Sequence, residues 1–470
     1  MVLNPVTTEF LDRLAAALPP DRLRPPEPRY LEEPRGLFTG RAGAVALPAS
    51  TDEVATIVRH AAEARVAIVP YGGGTGLVGG QVKPEGPEPL VLSLERMNRI
   101  RDLWPEEYVL VAEAGAVLAD VRAAAERVDR LFPLSLASEG SARIGGLLST
   151  NAGGVNVLRY GTARALCLGL EAVLPDGSVW HGLGRLRKDN TGYDLRDLLI
   201  GAEGTLGVIT AASLALSPQP ANRATAFLAV EGPEAALRLL AVARRIAAEL
   251  VSAFELIHGQ GLEFLAEVGP KVRQPLQPIP EWSVLIEIGG PEAFDPDAAI
   301  EAIYEAGLEG GLAGEGVVAR SEADRRALWE VRESIPLANR RIGAIVSNDI
   351  ALPLGEVADF VARAGHEIRR LGPFRINCFG HLGDGNLHYN IFPPRGETRA
   401  AFAALAGEIR ETVHRLVEAH GGSISAEHGI GRLKAAALER HADPARLAAM
   451  RRIKAALDPA GIMNPGAVLR

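Results

Sequence analysis

The chain has 470 residues, of which 47% are hydrophobic and 23% are charged, and this balance excludes a wholly disordered protein. Its formal net charge is −8 and it has no basic run, so nucleic acid is not expected as a partner. Glycine departs from an ordinary composition, with 51 residues where an average chain of this length carries about 33.

Cysteine usage and hydropathy restrict the cellular compartment in which we expect the protein. Cys167 and Cys378 lie far apart and form no CxxC pair, which excludes a disulfide scaffold and fits a reducing environment. The opening residues lack the pattern of a signal peptide, and no run of 18 apolar residues predicts a transmembrane segment. We therefore expect a cytoplasmic protein, and peripheral attachment to a membrane stays open.

Apolar periodicity and turn residues predict a mixed first half. Ser50, Thr51 and Asp52 are the N-cap candidates of its first strong helix. In chain order, the pattern predicts a helix at 50–65, a strand at 66–69, a glycine-rich loop at 71–80, strands at 90–94 and 109–112, a helix at 118–128, a Gly/Ser/Ala/Asn stretch at 137–161 and a strand at 208–210.

From residue 221 onward the pattern changes and predicts a separate α+β domain. Its predicted strands are 225–230, 254–257, 284–288, 344–352, 375–379 and 387–392, and its predicted helices are 234–250, 322–341, 356–371 and 399–420. Residues 433–470 are predicted to be helical and to end in the loop DPAGIMNPG.

The loop at residues 74–79 matches GxGxxG, the fingerprint of dinucleotide-binding βαβ units. That fold requires a helix after the loop, but Gly80, Pro84, Gly86 and Pro87 block one. No Gly-Lys-Ser/Thr follows either, which excludes a P-loop. Two interpretations of the loop remain. Its bare backbone N–H groups could bind an anion, or it could be a plain surface hairpin.

A second glycine-rich stretch favours the anion-binding interpretation. Apolar Ile144, Leu147 and Leu148 lie among its glycines, so we expect it to be packed rather than mobile. The glycines are Gly140, Gly145, Gly146, Gly153, Gly154 and Gly161. This composition suits close approach of the backbone to a flat ligand that carries a diphosphate.

Two histidines flank strong turn chemistry in His381-Leu-Gly-Asp-Gly-Asn-Leu-His388. A hairpin loop at residues 383–386 would pair His381 with His388, with their Cβ atoms about 5 Å apart on one face. Asn390 would share that face, and Glu427-His428 offers a carboxylate. This set suits zinc or a similar divalent ion, and two surface histidines beside a hairpin are the alternative.

Seven segments in order resemble the FAD-linked oxidases of the vanillyl-alcohol oxidase/p-cresol methylhydroxylase type, and the D-2-hydroxyacid dehydrogenases among them. They are PYGGGTGLVGG, SEGSARIGGLLSTNAGG, RYGTAR, LPDG, KDNTGYDL, GAEGTLGVIT and DPAGIMNPG. The resemblance implies an α+β, two-domain flavoprotein. Its two-part FAD-binding α+β domain would comprise residues 1–220 and 433–470, and its α+β substrate or cap domain, with the metal site, would comprise residues 221–432.

The resemblance implies that FAD binds through the glycine-rich segments. The residues so implied are Tyr71, Gly72, Gly73, Gly74, Thr75, Gly76, Ser138, Gly140, Ile144, Gly145, Gly146, Asn151, Gly153, Gly154, Gly204, Gly207, Val208, Ile209 and Asn464. Some members bind FAD covalently through a histidine of the first loop. Thr75 stands at about that position here, so we expect non-covalent FAD.

The resemblance also implies the metal and substrate residues. GHLGDGNLHYN and EHGIG match motifs in which two histidines and a glutamate bind a divalent metal, here His381, His388 and Glu427, with zinc preferred. His428 matches the proposed catalytic base. Arg332 and Asn390 match substrate contacts, although on spacing alone Arg332 is more easily a surface arginine on a helix.

Two departures concern the substrate. Members specific for hydroxyglutarate carry a threonine where this chain has Pro336 and a lysine where it has Ser347. The missing lysine weakens the case for a five-carbon diacid, so a shorter or more apolar 2-hydroxy acid is at least as well supported.

Three functions follow from these patterns. The first is oxidation of a D-2-hydroxy acid by FAD and a divalent metal, with a quinone, an electron-transfer flavoprotein or a cytochrome as electron acceptor and a homodimer left open. The second is a non-redox flavin transferase of the alkylglycerone-phosphate synthase type. The third is an FAD-binding subunit of a glycolate oxidase complex that serves a partner flavoprotein.

Overall fold

A computed structural model describes residues 2–470. Helices account for 38% of the chain and strands for 22%. The prediction of an α+β fold is confirmed.

The structure has the following helices and strands. The helices are α1 (Thr8–Ala17), α2 (Thr51–Ala64), α3 (Leu118–Glu126), α4 (Ile144–Thr150), α5 (Val157–Tyr160), α6 (Leu195–Leu199), α7 (Pro233–Ala247), α8 (Gly259–Val268), α9 (Pro296–Glu309), α10 (Glu322–Ile342), α11 (Val357–Leu371), α12 (Ala406–Ala419), α13 (Ala435–His441) and α14 (Pro444–Leu457). The strands are β1 (Leu23–Arg24), β2 (Ala44–Ala46), β3 (Ile68–Tyr71), β4 (Leu90–Ser93), β5 (Ile100–Trp104), β6 (Val109–Glu113), β7 (Arg130–Leu131), β8 (Cys167–Val173), β9 (Val179–Gly182), β10 (Val208–Ala215), β11 (Ser217–Pro218), β12 (Asn222–Val230), β13 (Val251–His258), β14 (Trp282–Gly290), β15 (Gly316–Val318), β16 (Val346–Ala351), β17 (Arg375–His381) and β18 (Asn386–Phe392).

The chain divides into two compact units. Unit 1 comprises residues 2–153, 161–219 and 427–470, and unit 2 comprises residues 154–160 and 220–426. Unit 1 is therefore assembled from three separate stretches of chain, with most of unit 2 inserted between the second and the third.

Unit 1 contains a four-stranded sheet in the order β1-β2-β4-β3, in which β2, β4 and β3 run parallel. Helix α2 precedes β3. It begins at Ser50, whose side chain accepts the N–H of Glu53, and it ends at Arg65 in the left-handed conformation. The C-terminal segment returns to this sheet, because the N–H of Ile68 donates to Ile462 and the N–H of Asn464 donates to Ile68.

A second sheet of unit 1 has the order β5-β6-β10-β8-β9 and is antiparallel. Its central strand, β10, is buried along its whole length. Cys167 of β8 is buried as well, and burial raises the pKa of its thiol to about 12.

Unit 2 is built on a seven-stranded antiparallel sheet in the order β15-β12-β14-β13-β17-β18-β16. Alternate residues of its strands contribute to two separate apolar cores. Helices α7, α9, α11 and α12 cover one face, and α8 and α10 cover the other. The predicted site residues His381, His388 and Asn390 lie on the face under α8 and α10.

The pattern-based prediction missed three helices of unit 2, namely the short α5 and the longer α8 and α9. The sequence of helix α9 has a recognisable N-terminal signal. Asp295 is the N-cap and accepts the N–H of Ala298, and Pro296 occupies the first helical position. Helix α8 begins with Gly259 and Gly261, which are poor helix formers, and packing against α10 and β17 outweighs that preference.

Candidate active site

The first glycine-rich loop of unit 1 leaves β3 at Tyr71 and is held by close backbone contacts. A Cβ added to Gly73 would lie 2.1 Å from the carbonyl oxygen of Ser141, and Gly74 has φ +71°. The loop therefore requires glycine at both positions. No helix follows it among the described residues, as the blocking glycines and prolines predicted.

The second glycine-rich stretch contains the short helix α4. A Cβ on Gly145 would clash with Ala114, so that glycine packs against unit 1 itself. Gly146 differs, because its added Cβ would meet only the Cα of Gly72, at 4.0 Å. The bare backbones of the two loops thus lie side by side, since a Cβ on Gly72 would lie 3.4 Å from the Cα of Gly146. This cradle of glycine backbone fits a flat ligand with a diphosphate.

The other residues implied for FAD occupy nearby elements of unit 1 with one exception. Gly154 falls in unit 2. Ser138 and Gly140 lie in the turn before α4, Asn151 caps α4 with φ +52°, Gly153 follows it, Gly204 and Gly207 lie in the loop before β10, and Val208 and Ile209 begin β10. Tyr71 donates its hydroxyl hydrogen to the carbonyl of Arg29 at 2.6 Å.

Asn464 is buried, and its side chain hydrogen-bonds three separate segments of unit 1. Its amide Nδ2 donates to the carbonyls of Gly80 at 2.9 Å and Glu203 at 2.8 Å, and its Oδ1 accepts from Arg432 at 3.0 Å. Both amide hydrogens are thereby used within the protein. Its side chain has an architectural role, and its contact with the flavin ring stays a prediction.

The segment after His428 is anchored to Glu203. The carboxylate of Glu203 accepts the N–H of Ile430 at 2.7 Å and of Gly431 at 2.8 Å. Burial raises the pKa of Glu203 to about 7, although the two N–H groups act in the opposite direction. Arg432 continues the attachment by donating to the carbonyls of Gly79 and Gly80.

In unit 2, His381 and His388 lie on one face of the sheet, but the predicted pairing between them is wrong. His388 stands opposite Phe379, and His381 stands opposite Glu255 of β13. A short 3₁₀ turn at Leu382–Asp384 replaces the expected loop at 383–386 and shifts the register by two. Because a shift of two preserves the face, the two rings still meet, with centroids 5.7 Å apart.

Glu255 is fully buried beneath the two predicted functional groups of this face. Its Oε1 lies 2.6 Å from Nδ1 of His381, and its Oε2 lies 2.7 Å from both Nε and Nη2 of Arg332. Burial alone would raise the pKa of Glu255, but the facing His381 and Arg332 lower it to about 2. Arg332 is itself buried, so the predicted alternative of a surface arginine is wrong.

Asp349 and Asn390 complete this face. Asp349 stands opposite His388 in β16, with its Oδ1 3.9 Å from Nδ1 of the histidine, and accepts from the amide of Asn386 at 3.0 Å. Asn390 is buried two residues beyond His388. The chain leading to Glu427 runs along β16, because Ser423 pairs with Ala351 and the N–H of Ala426 donates to Asp349 at 3.4 Å.

Glu203, Glu255, Asp349 and Arg432 were not among the predicted site residues. Glu255 carried a signal, since it is a lone acid in the apolar strand VSAFELIH, and a buried charge needs a partner. Glu203 is likewise a lone acid among the glycines of GAEGTLG. Nothing in the local sequence identified the partner of either carboxylate.

Two families match this chain. The family described as FAD linked oxidases, C-terminal domain, matches residues 219–468, and the FAD binding domain matches residues 42–182. The chain belongs to the FAD-linked oxidases. It is a flavoprotein oxidoreductase with the two-domain architecture of that family.

Three relatives place this FAD-linked oxidase beside the D-2-hydroxyacid dehydrogenases. It is 39% identical to the mitochondrial D-2-hydroxyglutarate dehydrogenase of Bos taurus over 95% of this chain and 79% of that protein. The mitochondrial D-2-hydroxyglutarate dehydrogenase of Arabidopsis thaliana is 38% identical over 92% and 76%. A D-2-hydroxyglutarate–pyruvate transhydrogenase of Saccharomyces cerevisiae is 35% identical over 91% and 86%.

Solved structures with the same fold are more distant in sequence. A p-cresol methylhydroxylase with substrate bound superposes with a TM-score of 0.76 at 16% identity, covering 100% of this chain and 98% of that one. An alkyldihydroxyacetonephosphate synthase superposes with a TM-score of 0.71 at 16% identity, covering 99% and 86%. At these identities the likeness concerns the fold alone. None of the helices in residues 2–470 has the length and apolar character to cross a membrane.

Proposed function

We propose that this FAD-linked oxidase converts a D-2-hydroxy acid to the 2-oxo acid with non-covalent FAD and a divalent metal. The observation that carries the proposal is the buried cluster on the sheet of unit 2. There, one carboxylate, Glu255, hydrogen-bonds a histidine suited to metal binding and an arginine suited to a substrate carboxylate. The names of the relatives support the class of substrate.

The proposed metal ligands are His381, His388 and Glu427. The proximity of the two imidazole rings supports His381 and His388. The position of Glu427 in the chain supports it as the third ligand. Glu427 follows Ala426, which is bonded to the strand that carries Asp349, the residue opposite His388. Two histidines and one carboxylate suit zinc, with manganese or iron as the other candidates.

Each remaining site residue has a proposed task that its chemistry supports. When bound, the metal lowers the pKa of the substrate hydroxyl and FAD accepts the hydride from the substrate carbon. Arg332 binds the substrate carboxylate, Asn390 orients the substrate, and His428 accepts the hydroxyl proton. His428 is suited to this because imidazole exchanges protons near neutral pH.

Pro336 and Ser347 are the residues from which we propose the chemical character of the far end of the substrate. Pro336 lies one helical turn after Arg332 in α10, and Ser347 stands opposite Asn390. Neither side chain carries a charge for a distal carboxylate. D-2-Hydroxyglutarate is the first acid to test because of the relatives' names, and a shorter acid such as D-lactate is the second.

The decisive experiment starts from the purified protein. We expect a yellow protein whose flavin absorbance bleaches anaerobically with a D-2-hydroxy acid and no longer does so after chelation of the metal. A yellow protein bleached by no 2-hydroxy acid would favour the transferase or the partner-serving subunit. Reoxidation of the bleached protein by a quinone, an electron-transfer flavoprotein or a cytochrome then identifies the acceptor.

His388→Ala tests the proposed metal site separately from FAD. We expect this variant to lose its divalent metal, because the site then has one imidazole instead of two, and to keep its flavin spectrum. His366→Ala, on the exposed side of α11, is the matched control and should keep both. Loss of FAD together with the metal in the first variant would contradict the assignment.

A further inference from the structure

Glu255 occupies the centre of the unit 2 sheet, on β13 between β14 and β17. It is fully buried, and the opposite residue in β17 is His381. A carboxylate in such a place is stable only when its charge and both oxygens have partners. Arg332 supplies the compensating charge, and His381 supplies the second hydrogen bond.

The hydrogen bond to His381 selects one tautomer of the neutral imidazole. An ionised carboxylate only accepts hydrogen bonds, so at 2.6 Å from Oε1 the Nδ1 of His381 must carry a hydrogen. When the ring is neutral, as a metal ligand must be, Nε2 then carries the lone pair. The same bond fixes the plane in which the ring lies.

The other oxygen orients Arg332. Nε of the guanidinium donates to Oε2 and Nη2 forms an ion pair with the same oxygen, while the guanidinium carbon lies 4.9 Å from the ring centre of Phe379. That phenylalanine ring in turn lies 5.0 Å from the ring of His388. With two of its nitrogens engaged by Glu255, Arg332 has Nη1 to offer to a substrate carboxylate.

We propose that Glu255 is a positioning residue that sets the tautomer of His381 and the orientation of Arg332 together. This inference rests on the proposed function for the identities of the metal and substrate sites. One buried carboxylate thereby links the group that binds the metal to the group that binds the acid, so both are displaced when it is lost.

The test variant is Glu255→Gln, and the chain offers a closely matched control. Glu287 lies on the neighbouring strand β14, on the same face, and is also buried. Its carboxylate accepts from Trp329 at 2.6 Å and Arg325 at 2.9 Å, both on α10, and from Thr225 at 3.1 Å, and none of these donors is a predicted site residue. Glu287→Gln therefore removes a buried carboxylate paired with an arginine and leaves the site untouched.

Zinc affinity is measured by competition with a chelator, and kcat and KM are measured at saturating zinc. We expect Glu255→Gln to weaken zinc binding by about 10- to 100-fold and to raise KM more than it lowers kcat. We expect Glu287→Gln to leave all three within about threefold. A folded Glu255→Gln variant with zinc affinity and KM equal to those of the wild type overturns the proposal.

Two further measurements keep the test decisive. If Glu255→Gln does not fold, Glu255→Asp keeps the charge beside Arg332 but is too short to hold both partners, so it should still bind zinc more weakly. In metal-free wild-type protein with ¹⁵N-labelled histidine, measured at a pH where the ring is neutral, His381 should show the Nδ1–H tautomer, and an Nε2–H tautomer overturns the proposal. A wild type with the Nδ1–H tautomer that binds no metal supports Glu255 while it contradicts the proposed metal site.

Discussion

At the scale of single residues, Glu203 shows how burial and hydrogen bonding compete. Its carboxylate is enclosed in unit 1, and the N–H groups of Ile430 and Gly431 do not fully replace the water it has lost. Its pKa is about 7 in the folded protein, against an ordinary value of 4.5. The side chain that anchors the segment after His428 therefore titrates within the neutral range.

This shift predicts how stability depends on pH. Between about pH 4.5 and 7 the folded protein holds a proton on Glu203 that the unfolded chain releases, so the contribution of Glu203 is fully present below pH 4.5 and is lost as the pH rises through 7. The loss amounts to at most about 3 kcal/mol. Glutamine cannot titrate, so the wild type should lose stability relative to Glu203→Gln between pH 5 and pH 8.

Urea unfolding of both proteins at pH 5, 6, 7 and 8 measures the effect. Glu63→Gln, which changes an exposed carboxylate on α2, is the control and should show a constant difference from the wild type. A difference between the wild type and Glu203→Gln that stays constant with pH would contradict the prediction.

At the scale of elements, the sheet of unit 2 shows which features of a strand pair the sequence pattern predicts and which it does not. Strict alternation through the whole segment would separate His381 and His388, but the turn residues between them predicted a hairpin that puts both on one face, and they do share one. The sequence pattern did not specify which residues stand opposite each other. The register depends on the backbone of the turn, where Gly385 takes φ +79° and the residues before it form a 3₁₀ helix.

Helix α4 gives a prediction about the cofactor cradle. Alanine at position 146 meets no protein atom closer than 4.0 Å, and alanine favours a helix over glycine by about 1 kcal/mol. We expect Gly146→Ala to fold with undiminished stability and to bind FAD at least about tenfold more weakly, because its methyl group would project from the glycine backbone that is proposed to hold the cofactor.

Flavin content after purification and titration of the metal-free, flavin-free protein with FAD measure this change. Gly407→Ala in α12 is the matched control, since it is also a helical glycine whose added Cβ would meet nothing within 4 Å. Normal flavin content in Gly146→Ala would show that the cofactor does not lie against this helix.

At the scale of the whole molecule, unit 1 is closed by residues far apart in sequence. The side chain of Asn464 bonds to the backbone at Gly80 and Glu203 and to Arg432, so one residue joins three segments. The two carbonyls and the guanidinium would all lose a partner on substitution. Unsatisfied buried polar groups cost about 1–3 kcal/mol each.

Asn464→Ala should therefore lower the free energy of unfolding of unit 1 by about 2–4 kcal/mol. Urea unfolding of the flavin-free protein measures this without a contribution from cofactor binding. Asn190→Ala in an exposed loop of the same unit should change it by less than about 0.5 kcal/mol. An equally small effect at Asn464 would mean that the three segments are held by other contacts.

The sequence by itself determined the family, the α+β class, the glycine-rich loops and the pair of histidines, because each depends on local composition or on motifs in order along the chain. Only the tertiary structure decided which side chains hydrogen-bond to these loops and histidines and hold them in place. Glu255 meets His381 across 126 residues and Glu203 meets Ile430 across 227. Periodicity assigns a side chain to a face but does not name its partner, since the partner is selected by sheet order, register and the desolvation of a buried charge.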